Sequence, residues 1–198
     1  MTTGAHGDGN EIRGRRSGAI PTLSDIAELR QRAREGLDEG AVTPSYGADK
    51  EVVLRLLNEA LATELLCILR YRYHYFIATG LPAESIKTEF LKHAQEEQTH
   101  ADQIAERIVQ LGGDPNFNPQ DLAERSHAEF GQGGSLSDLI RDDLVAERVA
   151  IESYKEMIAY VDGKDPTTRR MLESILAVEE EHAEEFASML NNMRVAAK

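Results

Sequence analysis

The 198-residue sequence has one cysteine, no tryptophan and six prolines, and only 6% of it is aromatic. A single thiol cannot close an internal disulfide, and zinc sites built from several cysteines are excluded with it. No stretch approaches the roughly 18 apolar residues of a membrane-spanning helix. The first twenty residues are polar and glycine-rich, without the apolar core of a secretory signal, and nothing hydrophobic follows Arg15-Arg16. These absences predict a cytoplasmic protein with no membrane partner. Positive charge is scarce as well: 22 bases face 35 acids, a net charge of −13. Up to position 47 six bases nearly balance seven acids, so the excess belongs to the remainder, where 16 bases face 28 acids. Such a surface repels nucleic acid and attracts cations, which argues against a nucleic-acid partner.

Residues 1–47 read as an extension. Gly4, Gly7, Gly9 and Gly14 lie in a stretch too poor in apolar residues to bury a core, which predicts disorder over 1–20. Ser24-Asp25 can cap a short helix near 24–37. Ile26, Leu29, Ala33 and Leu37 share one face of it, suited to packing on the main body or on a neighbouring subunit. Arg13, Arg15 and Arg16 offer the alternative of a nucleic-acid arm. Thr43-Pro44-Ser45-Tyr46-Gly47 reads as a linker.

Residues 48–198 are all-α by their periodicity, with long helices predicted near 49–79, 83–111, 136–162 and 166–194. Apolar residues step by three and four along each, as in Leu57, Ala60, Cys67 and Tyr71 or Leu172, Ile175, Phe186 and Met189. Gly112-Gly113 ends the second helix, and Asp165-Pro166 supplies the cap and first residue of the fourth. Short turns around Gly80-Leu81-Pro82 and Gly163-Lys164 make two antiparallel pairs. Between the pairs, residues 112–135 are rich in Gly, Pro, Asn and Gln. A helix of about 27 residues is about 40 Å long, and an extended chain of 24 residues reaches roughly 80 Å. This connection can therefore run the whole length of the bundle, so that the third helix lies parallel to the second. The pattern predicts a four-helix bundle with one long crossover.

Each apolar seam is broken at mid-length by groups that normally avoid a core. Glu64 interrupts the first, Glu97 and His100 the second, Glu147 the third, and Glu179 and His182 the fourth. A lone Glu followed by Glu-x-x-His thus occurs twice, with Tyr71 and Tyr154 each seven positions after the lone Glu. Each set sits about 25 Å from its own turn, so hairpins packed with their turns at opposite ends bring both sets to one level. Four buried carboxylates without compensation would cost several kcal/mol each or be forced to protonate. Two divalent cations neutralise four carboxylates, and oxygen with imidazole donors suits iron or manganese, or zinc, better than calcium. Glu-x-x-His puts both donors on one helical face. The competing reading makes these acids a solvated surface, which fits Glu96, Glu180, Glu181 and Glu184. For the six it would expose their apolar neighbours too.

The stretches LNEALATELLCILRYRYH (57–74), EEQTHADQIAERIVQLGG (96–113), DDLVAE (142–147) and ILAVEEEHAEEF (175–186) resemble the ferritin-like di-iron superfamily, and within it the bacterioferritins. The resemblance covers about 49–194. It implies that Glu64 and His100 serve one metal, Glu147 and His182 the other, with Glu97 and Glu179 bridging. It also implies a ferroxidase that binds two Fe²⁺ per subunit, oxidises them with O₂ or H₂O₂ and supports iron storage or detoxification. A homo-oligomeric cage of 24 or 12 subunits goes with that function. Two positions depart from the bacterioferritin pattern. Gln98 stands where those proteins carry a haem-binding Met, which argues against haem, and Lys92 replaces an auxiliary iron ligand. The alternative function is a di-iron or di-manganese redox enzyme without a cage, a peroxidase, catalase or oxidase. Asp143, one turn before Glu147, is expected to accept the N–H of a ligand histidine. Tyr71, Tyr154 and Cys67 read first as core residues, with hydrogen bonding to ligands or electron donation as the alternative for the tyrosines. His93 reads first as packing and otherwise as an added ligand.

Overall fold

The computed structural model describes residues 24–80, 83–131 and 133–196. The predicted disorder of 1–20, the arginine arm and part of the first turn lie outside these residues. The described chain is helical, in the order α1 (Ile26–Arg32), a 3₁₀ turn (Leu37–Glu39), α2 (Lys50–Ile77), α3 (Ala83–Gln110), α4 (Leu122–Arg125), α5 (Leu136–Val161) and α6 (Pro166–Ala196). Helices α2, α3, α5 and α6 are the four predicted rods, within two residues at nearly every end.

Local chemistry sets those ends. Asp49 accepts from the N–H groups of Glu51 and Val52 and starts α2. Ser135 and Asp138 form a capping box at α5. Asp165 accepts from Thr168 N at 3.0 Å just ahead of Pro166. Helix α3 stops because Gly112 adopts φ 78°, which lets Gly112 N reach Val109 O and Gly113 N reach Ile108 O, both at 2.9 Å. That pair of bonds satisfies carbonyls the helix would otherwise leave open.

Helix α2 packs mainly on α3, and α5 on α6. Across the bundle, Glu64 meets Tyr154 while Arg70 meets Asp143, so α2 and α5 run antiparallel and α5 lies parallel to α3. The crossover is pinned along α2: Asn116 N donates to Asn58, His127 N to Thr63, and Arg70 to the Glu129 carbonyl. It carries the single-turn helix α4, which the sequence reading did not contain. Its one buried residue, Leu122, anchors it.

The extension differs from expectation. Helix α1 covers only Ile26–Arg32 rather than 24–37, because Gly36 and Gly40, both at φ 61°, turn the chain on either side of the 3₁₀ segment. Nothing in α1 is buried, and Ile26, Leu29 and Leu37 stand open on this chain. The predicted linker is docked instead: Tyr46 donates to Asp165 at 2.8 Å, and Arg107 holds the same carboxylate at 2.9 and 3.0 Å.

Inside the bundle the apolar core falls into two blocks. One gathers Leu57, Leu61, Ile104, Ile108, Tyr154 and Leu172. The other gathers Leu66, Tyr71, Phe90, Ile140 and Phe186. The six interrupting residues fill the gap between them.

Candidate metal centre

Glu64, Glu97, His100, Glu147, Glu179 and His182 come from four different helices and are all buried, none more than 4% exposed. His100 Nδ1 lies 3.5 Å from Glu64 Oε2, 3.1 Å from Glu97 Oε2 and 3.0 Å from Glu179 Oε1. His182 Nδ1 lies 3.5 Å from Glu97 Oε1, 3.5 Å from Glu179 Oε2 and 3.9 Å from Glu147 Oε1. Glu97 and Glu179 therefore turn one oxygen toward each histidine. Ligand-type atoms form two groups, Glu64–Glu97–His100–Glu179 and Glu97–Glu147–Glu179–His182, each within 4.8 Å. The two groups share the two central carboxylates.

The charges in this pocket compensate one another without satisfying its hydrogen bonds. Burial opposes a charged imidazole at His100, but Glu179, Glu64 and Glu97 outweigh it and push its pKa up to about 12. At His182 burial is likewise outweighed, chiefly by Glu179 and Glu97, and the pKa rises to about 11. Burial lifts Glu64 and Glu147 well above the usual carboxylate range, aided by the charges of their carboxylate neighbours. Glu97 goes the other way: burial is overcome by its neighbours Glu64, His100, which donates to it at 3.1 Å, and His182, and together they keep it ionised. Tyr154 donates its hydroxyl to Glu64, and burial followed by the charges of Glu64 and Glu179 holds its phenol protonated. Even so, Glu97 Oε1, Glu147 Oε1, both oxygens of Glu179 and His182 Nδ1 have no aligned hydrogen-bond partner. Buried polar atoms are rarely left so, and all of these face the shared centre.

His182 Nε2, the nitrogen on the far side of its ring, donates to Glu96 Oε2 at 2.9 Å. Glu96, which its sequence pattern reads as a solvated acid, supports a buried histidine; its position next to Glu97 is the signal for that role. Asp143 does not accept from His100 or His182. It is fully buried and accepts from Arg70 Nε at 2.9 Å and His74 Nδ1 at 2.8 Å. The reason is geometric: α5 faces α2 at this level, so the turn before Glu147 meets Arg70 rather than α3 or α6. Neither Arg70 nor His74 carried an argument in the sequence.

Of the two tyrosines, Tyr154 is bonded to the cluster, whereas the buried Tyr71 hydroxyl has no partner and its ring lies edge-on to His93 at 5.6 Å. Cys67 is buried and burial pushes its thiol up. Glu180, Glu181 and Glu184 are exposed, as expected.

Residues 54–196 match the ferritin-like domain family. The DNA protection during starvation protein of Pyrococcus furiosus is 34% identical over 148 residues, 73% of this chain and 80% of that protein. The bacterioferritin of Mycobacterium tuberculosis is 30% identical over 142 residues, 71% of this chain and 85% of that one. Among solved structures, the dodecameric thioferritin of Bacteroides fragilis, a bacterioferritin-related protein, aligns with a TM-score of 0.74 at 30% identity, covering 76% of this chain and 91% of its own. The bacterioferritin resemblance thus holds, beside one to DNA-protection proteins. By family match, identity and coverage alike, the chain belongs to the ferritin-like domain family.

Proposed function

We propose that the protein is a ferroxidase that takes up Fe²⁺ as substrate, two ions per chain, and supports iron storage or detoxification in a homo-oligomeric cage. The observation that carries this reading is the paired geometry of Glu97 and Glu179, each offering one oxygen to either half of the centre. Glu64 and His100 hold one ion, Glu147 and His182 the other, and Glu97 and Glu179 bridge them. The donor set fits: four carboxylates match the charge of two divalent ions, and imidazole with carboxylate suits iron, with manganese or zinc as substitutes.

Each Fe²⁺ gives up one electron. With H₂O₂ as acceptor, two Fe²⁺, one H₂O₂ and two protons yield two Fe³⁺ and two waters; with O₂, two Fe²⁺ and two protons yield two Fe³⁺ and H₂O₂. The protein binds, orients and excludes bulk water, while the electrons come from the metal. Removing Fe²⁺ together with peroxide also protects DNA without contact, which accommodates the name of the Pyrococcus relative on a chain of net charge −13. No described helix is long and apolar enough to cross a membrane. Cage assembly is supported by the dodecameric relative.

The test is anaerobic Fe²⁺ titration followed by O₂ or H₂O₂. About two tightly held irons per chain and rapid ferric absorbance are expected, the oxidation slowed severely in Glu97→Ala and His182→Ala. Wild-type rates in both variants would refute the assignment. A monomer or dimer by native mass that still turned over peroxide would favour the cage-free redox enzyme.

A further inference from the structure

His93 is fully buried yet lies outside the six-residue cluster. Its Nε2 is 2.8 Å from Glu185 Oε2 on α6, and its Nδ1 has no hydrogen-bond partner. Glu89 sits one turn earlier on α3, and ligand-type atoms of Glu89, His93 and Glu185 all fall within 4.8 Å of one another. None of the three belongs to the dinuclear centre. Both carboxylates are half-buried, so the group has a dry floor at His93 and an open side. One imidazole with two carboxylates is a donor set for a borderline first-row ion, with water completing its coordination.

A cation already reaches this spot. The Lys92 ammonium lies 3.1 and 3.4 Å from the two oxygens of Glu185. Lysine is a weak competitor here, because half-exposed ion pairs are worth little. We propose that Glu89, His93 and Glu185 form a third, mononuclear site for a divalent first-row transition cation, which displaces Lys92 from Glu185 as it binds.

The site is separate from the dinuclear centre but coupled to it. The His93 ring stacks on His182 at 3.9 Å and 20°. His182 already spends its outer nitrogen on Glu96, so it is not a ligand of the third ion. Like charges held one stacked ring apart repel, so the third site fills after the other two.

Anaerobic titration of the full-length apo protein with Co²⁺, followed by visible absorption, reads the occupancy. Wild type takes up three equivalents per chain, the third most weakly. Glu185→Gln and Glu89→Gln, both on half-exposed side chains, weaken that equivalent at least about tenfold and spare the others. Lys92→Met tightens it about two- to fivefold. Glu97→Ala abolishes the first two and leaves the third, so failure of the dinuclear reading and failure of this one give different curves. If no equivalent responds to either Glu185→Gln or Glu89→Gln, the third site does not exist.

Discussion

His182 points its two ring nitrogens at different carboxylate sets: Nδ1 faces Glu97, Glu147 and Glu179, while Nε2 donates to Glu96 at 2.9 Å. A carboxylate behind a ligand imidazole fixes the ring and raises its basicity. Glu96 has 37% of its side chain exposed, so replacing it leaves the fold intact. Glu96→Ala should weaken cation binding at the His182 half about 10- to 100-fold and slow Fe²⁺ oxidation in proportion. The His100 half, which has no contact with Glu96 in this arrangement, should bind as before. Stepwise Co²⁺ titration separates the halves; equal weakening of both, or of neither, would remove Glu96 from the centre.

Protons and metal ions compete for the same positions. Without cations His100 and His182 hold protons up to about 12 and about 11, and burial keeps Glu64 and Glu147 protonated well above the usual range. Cations require the neutral imidazoles and the carboxylates. Binding at pH 7 should therefore release between two and four protons per pair of ions. Because the free state binds more protons than the loaded state, affinity rises with pH and falls as the solution is acidified. Titration in a weakly buffered indicator solution counts the protons. Release of none would show that the ions bind elsewhere.

Much of this was legible in the sequence because its signals are local and periodic. The four rods follow from 3.6-residue patterning, two of their ends from Gly112 and Asp165, and the level of the cluster from equal distances to the two turns. What stayed hidden depends on which helices become neighbours. Asp143 reads as a histidine acceptor until α5 is seen to face α2, where Arg70 and His74 take its oxygens. Glu96 looks like a solvated acid and Glu185 carries no signal at all, yet both bond buried histidines from the opposite helix. Tyr46 looks like linker because its partner, Asp165, lies 119 positions away.

The Arg70–Asp143 pair is a stability element with almost no access to water, at 1% and 0% side-chain exposure. Removing one partner from a buried pair strands the other charge and costs roughly 3–5 kcal/mol. Asp143→Ala should therefore lower Tm by about 6–20 °C in a chain of this size. The double variant Arg70→Met with Asp143→Leu removes both charges and should recover most of that loss. Thermal melts of the metal-free proteins check this; a double variant as unstable as Asp143→Ala would mean that the pair contributes more than charge compensation.

Loading the centre should stabilise the whole bundle, because ions bound between four helices favour the folded state over the unfolded one. A ligand at 100 times its Kd contributes about 2.7 kcal/mol per site, or about 5–11 °C in Tm. Zn²⁺, which does not change oxidation state, isolates this effect from oxidation chemistry. Glu97→Gln should lose most of the shift, since Glu97 gives one oxygen to each half of the centre. Gln98→Ala, one residue further on, should keep it: Gln98 turns away to bond Asp102 at 2.9 Å. A Zn²⁺ shift as large in Glu97→Gln as in wild type would locate the stabilising ions outside the shared carboxylates.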